Sequence, residues 1–190
     1  MRITQYTSEF GPLIARVGSI RPRIVLEIGI DWGGTLLHWC DLVGARGLVV
    51  GIDCDKNVIA KIRTNFGNHI FRIFRIARII VGDSRAAETL ASVKRILKGR
   101  YLDFLFIDGD HSYEGVKADY QMYSRLVRPG GMIALHDIAT PPTVRNPYQK
   151  GSYVGVSKFW SELTAARKEE FIDRGVANPF GIGLITKDAA

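Results

Sequence analysis

The sequence is poor in cysteine and has no long apolar segment. Its 190 residues include two cysteines, Cys40 and Cys54, which form neither a Cys-x-x-Cys pair nor a metal-ligand spacing. A disulfide framework and a zinc site are therefore disfavoured, and a reducing compartment is expected. No stretch approaches the roughly 18 apolar residues of a membrane span, and the first residues lack the apolar core of a signal peptide. We therefore expect a cytoplasmic protein that does not span a membrane.

The composition is typical of a globular protein. Hydrophobic residues make up 46% of the chain and charged residues 24%, which disfavours disorder. The length predicts a single domain over residues 1–190. Lysine and arginine number 26 against 19 aspartate and glutamate, giving a net charge of +7. This charge favours anionic partners without identifying one.

Short apolar runs alternate with segments of helical periodicity, a rhythm that predicts an α/β protein with a mainly parallel sheet. The predicted strands are Ile24–Ile28, Leu48–Ile52, Ile79–Val81, Leu102–Ile107 and Met132–Leu135, followed by two closing strands near Phe171–Ile172 and Gly181–Ile185. Ser84 and Ser112 are expected to cap the helices that follow them. Between Phe71 and Arg78, arginine recurs at every third residue, and the pattern fits neither a strand nor a helix.

Acidic residues stand where the predicted strands end. Glu27, Asp53, Asp83, Asp108 and Asp137 each lie at or just after the carboxyl end of a strand. Aspartate is also common in turns and helix caps, which accounts for any one position. In an open parallel sheet, however, these strand ends share one edge, and ligands bind in the crevice there. The five positions together predict an acidic cleft.

The first turn distinguishes two classes of cofactor. A dinucleotide fingerprint needs Gly-x-Gly-x-x-Gly, but Asp31 stands at the second glycine position, giving Glu27-x-Gly29-x-x-x-Gly33. NAD is therefore disfavoured. Asp53 lies twenty residues beyond Gly33, a separation that suits an acid binding ribose hydroxyls. These features predict a cofactor that carries a nucleoside.

Several motifs occur in a fixed order: Glu27–Gly29, Gly33–Thr35, Gly82–Ser84, Phe106–Tyr113, Val127–Gly131 and Leu135–Asp137. This ordered set resembles class I S-adenosylmethionine-dependent methyltransferases. Within them it is most similar to small-molecule O-methyltransferases, a group that includes macrocin-type sugar O-methyltransferases and cephalosporin-hydroxylase-like proteins. The resemblance implies a Rossmann-like, seven-stranded sheet in the order 3-2-1-4-5-7-6, with the last strand antiparallel and helices on both faces.

The resemblance also implies a binding site for S-adenosylmethionine. Its residues would be Glu27, Gly29, Gly33, Thr35, Asp53, Asp83, Ser84 and Asp108. Gly29 and Gly33 would let the backbone approach the methionine moiety, and Glu27 would order that turn. Asp53 would bind the ribose, and Asp83 would meet the adenine amino group.

The reaction centre implied by the resemblance follows the fourth strand. Asp108 and His111 match an acid and a histidine that serve related enzymes as metal ligand and general base. Metal-dependent relatives usually place two adjacent acid or amide ligands after the fifth strand, whereas this chain has His136 and Asp137. Imidazole suits Mg²⁺ poorly, because that ion prefers oxygen ligands. The sequence therefore leaves open whether Asp108 and Asp137 hold Mg²⁺ or the acceptor hydroxyl.

The expected function is O-methylation of a small hydroxylated acceptor, with a sugar as one candidate. A nucleic-acid-associated protein using the basic Lys61 to Arg78 region is a less favoured alternative, and a catalytically silent cofactor-binding protein is another. The long, proline-containing segment from Ile138 to Gly155 is a candidate lid. The sequence does not settle the oligomeric state, and a homo-oligomer stays open.

Overall fold

A central sheet with helices on both faces forms the fold. A computed structural model describes residues 6–67, 70–145 and 153–188. The strands are β1 (Ile24–Ile28), β2 (Leu48–Asp53), β3 (Ala77–Val81), β4 (Leu102–Ile107), β5 (Val127–His136), β6 (Lys168–Phe171) and β7 (Ile182–Thr186). The helices are α1 (Thr7–Gly18), α2 (Gly34–Val43), α3 (Val58–Phe66), α4 (Ile70–Ile76), α5 (Ala87–Leu97), α6 (Tyr113–Tyr123) and α7 (Val156–Glu162).

The seven strands lie in the order β3-β2-β1-β4-β5-β7-β6. Strands β1 to β5 pair in parallel, and β7 pairs antiparallel with both β5 and β6. This arrangement confirms the predicted Rossmann-like fold and its antiparallel last strand.

The parallel strands bring four chain segments to one edge of the sheet. Strand β1 lies in the interior of the sheet, between β2 and β4, and all five of its residues are buried. A nearly continuous apolar run is typical of a strand covered on both faces. Because β1, β2, β4 and β5 run in the same direction, their ends at Ile28, Asp53, Ile107 and His136 face the same side of the molecule. The predicted cleft lies at this edge.

Each face of the sheet carries its own apolar core. Residues of α1, α2, α3 and α4 pack on one face, and residues of α5, α6 and α7 pack on the other. Trp39 of α2 is fully buried on the first face. It makes edge-to-face contacts with Phe10, Phe104 and Phe106 at centroid distances of 5.3, 5.0 and 5.6 Å. Such aromatic pairs stabilise the core beyond the area they bury.

The structure corrects some local expectations. Ser112 caps α6 as predicted, accepting a hydrogen bond from the backbone N–H of Gly115 at 3.0 Å. Ser84 does not cap α5, so that prediction is wrong. The turn after β3 continues through an Ala86 N–H to Asp83 carbonyl bond of 3.1 Å, and Ala86 becomes the N-cap instead.

The bounds of β2, β3, β5, β6 and β7 also differ from the prediction, and β5 begins at Val127, five residues before the predicted start at Met132. The undecided arginine-rich segment forms α4 and then β3, which begins at Ala77 because that residue pairs with Val49 of β2. Strand β6 ends at Phe171, where the prediction began it. Short periodic segments at a helix-to-strand junction carry both patterns, which explains why periodicity alone did not assign them.

The described helices are short. The longest, α1, has 12 residues, about 18 Å at 1.5 Å per residue. A bilayer core is about 30 Å thick. No helix in the three described ranges is long and apolar enough to cross a membrane.

Replacing Trp39 by alanine is expected to lower the free energy of unfolding by about 3 to 5 kcal/mol, because it empties the centre of one core. Urea denaturation of the purified protein measures this change. Tyr101→Ala is the matched control, since Tyr101 is 61% exposed and its loss should change stability by less than about 0.5 kcal/mol. Equal effects of the two substitutions would contradict the assignment of Trp39 to the core.

Candidate active site

The carboxyl edge of the sheet opens onto a cavity of about 790 Å³, a size typical of small-molecule sites. Eight of the ten residues predicted for the site line it: Gly29, Thr35, Asp53, Asp83, Ser84, Asp108, His111 and Asp137. The other two, Glu27 and Gly33, are not among its lining residues. The edge therefore brings most of the predicted site together.

The turn after β1 depends on two glycines, for different reasons. Gly29 has a φ of +86°, and a Cβ there would lie 2.0 Å from the carbonyl oxygen of Asp108. Only glycine allows this close approach of the β1 and β4 turns. Gly33 has a φ of +76° and faces α3, where a Cβ would meet Ile62 and Phe66 at 3.0 and 3.3 Å. Gly33 therefore lets the turn pack closely on α3, and it does not line the cavity.

Glu27 lies beneath this turn. It is fully buried, and Thr35 donates a hydrogen bond from Oγ1 to Glu27 Oε1. Burial raises the pKa of Glu27 well above its ordinary value, the Thr35 hydrogen bond opposes this rise, and nearby Asp108 adds to it. The contact joins the end of β1 to the first turn of α2, and the role of Glu27 in ordering the turn stays a prediction.

Asp53, at the end of β2, reaches across to the first turn. Its Oδ2 accepts hydrogen bonds from the backbone N–H groups of Ile30 and Asp31, both at 2.9 Å. Its Oδ1 accepts one from the N–H of Asp55 at 2.8 Å. Asp53 therefore fixes the shape of the turn as well as lining the cavity, a contact that spacing alone did not reveal.

Asp83, after β3, is paired with a residue the sequence did not single out. Arg85 Nε lies 3.1 Å from Asp83 Oδ1, and Arg85 Nη1 lies 3.2 Å from Asp110 Oδ2. The hydrogen bonds from Arg85 lower the pKa of Asp83. Ser84 lines the cavity, and its carbonyl oxygen accepts a hydrogen bond from Tyr123 at 2.6 Å.

Two aspartates and two histidines meet at the ends of β4 and β5; we call Asp108, His111, His136 and Asp137 the histidine-aspartate cluster. His111 Nδ1 is hydrogen-bonded to Asp137 Oδ2, and its Nε2 lies 3.8 Å from Asp108 Oδ1. His136 Nδ1 lies 3.2 Å from Asp108 Oδ1 and 3.4 Å from Asp137 Oδ2. Both carboxylates therefore attract a positive charge on the His136 imidazole.

The cluster strongly shifts the pKa values of its members. Burial alone would lower the pKa of His136, but Asp108 and Asp137 outweigh it and raise this pKa to about 10. Burial also opposes the charge on His111, and the hydrogen bond to Asp137 and the charge of Asp108 raise the pKa of its imidazole. Both histidines hold the pKa of Asp137 far below its ordinary value, against the effect of its burial. Such perturbed groups in a cleft are typical of functional sites.

Backbone strain accompanies the cluster. Asp137 has a φ of +66°, in the left-handed region that few residues other than glycine adopt. Its Oδ1 accepts a hydrogen bond of 2.8 Å from Thr140 Oγ1. Strained backbone of this kind is often found where a side chain is held in place for function.

Sequence reasoning missed two ion pairs that Lys61 makes in the cavity lining. Lys61 of α3 lies 2.8 Å from Asp31 Oδ1 and 2.9 Å from Asp55 Oδ2. Its Nζ also lies 5.7 Å from the centre of the Trp32 ring. All four residues line the cavity. The turn position of Asp31 was visible in the sequence, but the contact with Lys61 depends on the packing of α3.

Phe180 is a second residue that the sequence analysis missed. It lines the cavity from the chain between β6 and β7, and its ring lies 5.5 Å from that of His136. Tyr6 stacks on Phe180 at 5.0 Å. Strand β7 runs antiparallel to β5, so the residues before β7 lie at the carboxyl edge of the sheet. The direction of this strand places Phe180 in the cavity lining.

The candidate lid lies partly outside the described residues. Residues 146–152, which include Pro147, Tyr148 and Lys150, are not described. On either side of them, Val144 and Val154 line the cavity, and Arg145 and Tyr153 form an antiparallel bridge. The segment therefore borders the cavity, and its closure over a ligand stays a prediction.

The donors in the cluster do not fit Mg²⁺. Asp108, His111 and Asp137 each offer a ligand atom, and these atoms lie within 4.8 Å of one another. His136 stands beside the two carboxylates. Mg²⁺ requires oxygen ligands in near-ideal octahedral geometry and retains several waters. Two imidazoles beside two carboxylates are a poor match for that ion.

Comparison with known proteins assigns the family. Residues 26–138 match the family model described as "Methyltransferase domain", and the chain belongs to this family. The match runs from β1 to the residue after Asp137 and includes most of the cavity lining, whereas Thr140, Val144, Val154 and Phe180 lie beyond it. It confirms the predicted methyltransferase family.

Curated relatives are similar over part of their length. The chain is 30% identical over 125 residues to the Mycinamicin VI 2''-O-methyltransferase of Micromonospora griseorubida, covering 61% of this chain and 27% of that protein. It is 25% identical over 154 residues to the uncharacterized protein y4gI of Sinorhizobium fredii, covering 80% of this chain and 16% of that protein. The chain thus spans less than a third of either relative.

A solved structure shares the fold. The O-methyltransferase from Bacillus cereus, crystallised in complex with SAH, superposes with a TM-score of 0.70 at 20% identity. The superposition covers 98% of this chain and 83% of that chain.

The raised pKa of Glu27 predicts a pH-dependent cost to stability. The folded state favours the neutral carboxyl, whereas the unfolded chain ionises near its ordinary pKa of about 4.3. The stability contributed by the neutral form is complete below that pKa and is lost as pH rises towards the raised folded value. We expect the stability of Glu27→Gln relative to the parent to increase between about pH 4 and pH 8. Urea denaturation across this range measures the difference, and a pH-independent difference would contradict the assignment.

Proposed function

We propose that the protein is an S-adenosylmethionine-dependent O-methyltransferase with a small hydroxylated acceptor. One observation carries this proposal: the histidine-aspartate cluster and the glycine turn line the same cavity, so the proposed base lies beside the proposed site of a nucleoside-bearing cofactor. The family match and the O-methyltransferase activities named for similar proteins support it. We propose that residues 1–190 act as one catalytic domain.

The residues at the carboxyl edge fit S-adenosylmethionine. The turn at Gly29 exposes backbone to the cavity, and Asp53 and Asp83 place carboxylates at neighbouring strand ends. Carboxylates accept hydrogen bonds from ribose hydroxyls and amino groups. We propose that Asp53 holds the ribose, that Asp83 and Ser84 lie beside the adenine, and that the turn supported by Glu27 holds the methionine moiety.

His111 is the proposed general base. When bound, S-adenosylmethionine supplies an electrophilic methyl group on a sulfonium. The acceptor hydroxyl must lose its proton as its oxygen bonds to that methyl group. The bond from His111 Nδ1 to Asp137 commits the Nδ1 proton, so Nε2 is the nitrogen that takes the proton from the acceptor. Asp108, 3.8 Å from Nε2, orients the acceptor hydroxyl.

The basic region from Lys61 to Arg78 supports nucleic-acid binding less well than the cavity supports methylation of a small acceptor. Lys61 lies in the cavity with Asp31 and Asp55, where its charge is paired. A small acceptor, such as a sugar hydroxyl, is therefore the proposed substrate class. A screen of hydroxylated acceptors that detects S-adenosylhomocysteine tests the function. Failure to bind S-adenosylmethionine in calorimetry would contradict it.

Asp53→Ala is expected to weaken binding of S-adenosylhomocysteine by about 1 to 3 kcal/mol, because it removes acceptors for the ribose and releases the N–H groups of Ile30 and Asp31. Isothermal titration calorimetry measures the change. Asp41→Ala is the matched control, since Asp41 is an exposed residue of α2 outside the cavity lining. Unchanged affinity in a folded Asp53→Ala protein would refute the assignment.

Methyl transfer is expected to accelerate as pH rises through the raised pKa of His111, above its ordinary value near 6.5, because the base must be neutral. Asp137→Asn removes the charge that raises this pKa and should move the acidic limb of kcat/KM to lower pH. Asparagine tolerates the left-handed backbone at this position. A pH series with a responsive acceptor measures the limb, Asp41→Asn serves as the control, and an unshifted limb would argue against His111 as the base.

A further inference from the structure

Asp119 of α6 is a buried acid that the proposed methyl transfer does not use. Its side chain is fully buried and is not among the residues that line the cavity. It lies against the turn after β4, because a Cβ at Gly109 would be 3.6 Å from Asp119 Oδ2. The side chain of Ser84, in the turn after β3, hydrogen-bonds to the Asp119 carboxyl. One buried carboxyl therefore contacts two turns that line the cavity.

The turn after β3 is held from α6 at a second point. Tyr123, four residues beyond Asp119 on the helix, donates a hydrogen bond from its hydroxyl to the Ser84 carbonyl at 2.6 Å. Burial and the nearby Asp119 carboxyl raise the pKa of Tyr123, so this hydroxyl keeps its proton. Helix α6 thus contacts both the backbone and the side chain of Ser84, which constrains the position of the neighbouring Asp83.

The turn after β4 is joined both to α6 and to the turn after β3. Asp110 Oδ1 accepts a hydrogen bond from the Ser112 N–H at 2.9 Å, and a Cβ at Gly115 would lie 2.3 Å from Asp110 Cγ. Arg85 connects the two turns, with Nη1 3.2 Å from Asp110 Oδ2 and Nε 3.1 Å from Asp83 Oδ1. The two turns and the helix therefore form one polar network.

We propose that Asp119 is a positioning residue for the cofactor: by holding the turns at Ser84 and Gly109 against α6, it sets the shape of the cavity at the proposed adenine end. Asp119 acts through these turns, because it lies outside the cavity lining. The inference rests on the proposed function only for the identity of the ligand. A change at Asp119 should therefore alter cofactor affinity without removing any group that contacts the cofactor.

The charge of Asp119 bears on this role, because other carboxylates lie nearby. Burial raises the pKa of Asp119 to about 6, and the hydrogen bond with Ser84 opposes this rise. The charge of Arg85 also opposes it, whereas Asp110 and Asp83 add to it. Above this pKa the ionised carboxyl repels the carboxylates of both turns. Since the proposed cofactor site needs both turns in place, the neutral form should bind the cofactor more tightly, and affinity should fall as pH rises through the pKa.

Asp119→Asn tests this role, because asparagine keeps the shape of the side chain and can hydrogen-bond to Ser84 but cannot ionise. Calorimetry of the full chain with S-adenosylhomocysteine measures affinity from about pH 5 to about pH 7.5. We expect the affinity of the parent to fall at least about threefold over this range, and that of Asp119→Asn to change by less than half as much. The variant should then bind more tightly than the parent at the upper pH. Equal pH profiles would overturn the proposal.

Glu114→Gln is the matched control, since Glu114 is an exposed acid on the same helix and outside the cavity lining. It changes the net charge by the same amount and should keep the pH profile of the parent. A Glu114→Gln profile that matches the Asp119→Asn profile would indicate a general effect of charge and overturn the proposal.

Asp119→Ala removes the hydrogen bond with Ser84 as well as the charge. It should weaken binding of S-adenosylhomocysteine about tenfold at the lower pH, where the parent carboxyl is neutral. Parent-like affinity of a folded Asp119→Ala protein at that pH would contradict the role of the contact. If this variant does not fold, the pH profiles of the parent and Asp119→Asn decide.

Hydrogen exchange of the free protein separates this inference from the proposed function, because it needs no cofactor. Peptides that cover the turns after β3 and β4 should exchange faster in Asp119→Ala than in the parent or in Asp119→Asn. Cofactor binding with unchanged exchange in both turns would overturn the positioning role and leave the proposed function standing. Faster exchange in a protein whose parent binds no S-adenosylhomocysteine would contradict the function and leave the role of Asp119 in holding the turns.

Discussion

The close contact between the turns after β1 and β4 is the constraint on which the site depends. The carbonyl of Asp108 occupies the space that a side chain at Gly29 would need. Gly29 N–H bonds to the Ile52 carbonyl at 2.9 Å, and Asp108 N–H bonds to the Ile28 carbonyl at 2.8 Å. These bonds extend the parallel pairing one residue past the strands. The proposed cofactor turn and the proposed reaction centre are therefore held against each other as one unit.

The parallel pairing of β2, β1, β4 and β5 concentrates negative charge at the carboxyl edge. The strand ends at Asp53, Asp108 and Asp137 converge, and each carboxylate needs a compensating donor or cation. Asp53 finds backbone N–H groups of the first turn, whereas Asp108 and Asp137 face two imidazoles. The hydrogen bonds to Asp53 hold the first turn in one shape. The two imidazoles place titratable nitrogens beside the proposed acceptor position, where proton transfer becomes feasible.

The sequence predicted this edge better than the walls of the cavity. Strands and their terminal acids are encoded locally, because apolar runs followed by aspartate specify both the strand and the position of the acid. The amino-acid sequence alone therefore sufficed to assign Asp53 and Asp108 to the cavity. It did not suffice for Lys61 and Phe180, because their places depend on how α3 packs and on the antiparallel return of β7. Likewise, Ser84 looked like a helix cap, but the Asp83 turn places Ala86 there.

The net charge of the chain also did not predict the charge of the cavity lining. The chain carries +7 overall, yet seven aspartates line the cavity: Asp31, Asp53, Asp55, Asp83, Asp108, Asp110 and Asp137. Its lysine and arginine lining residues are Lys61 and Arg85, each paired with two of those aspartates. The basic surplus therefore lies outside the described cavity lining, and the cavity itself favours positive charge. The proposed sulfonium cofactor suits that environment, because a cation is attracted to the surplus of carboxylates in the cavity lining.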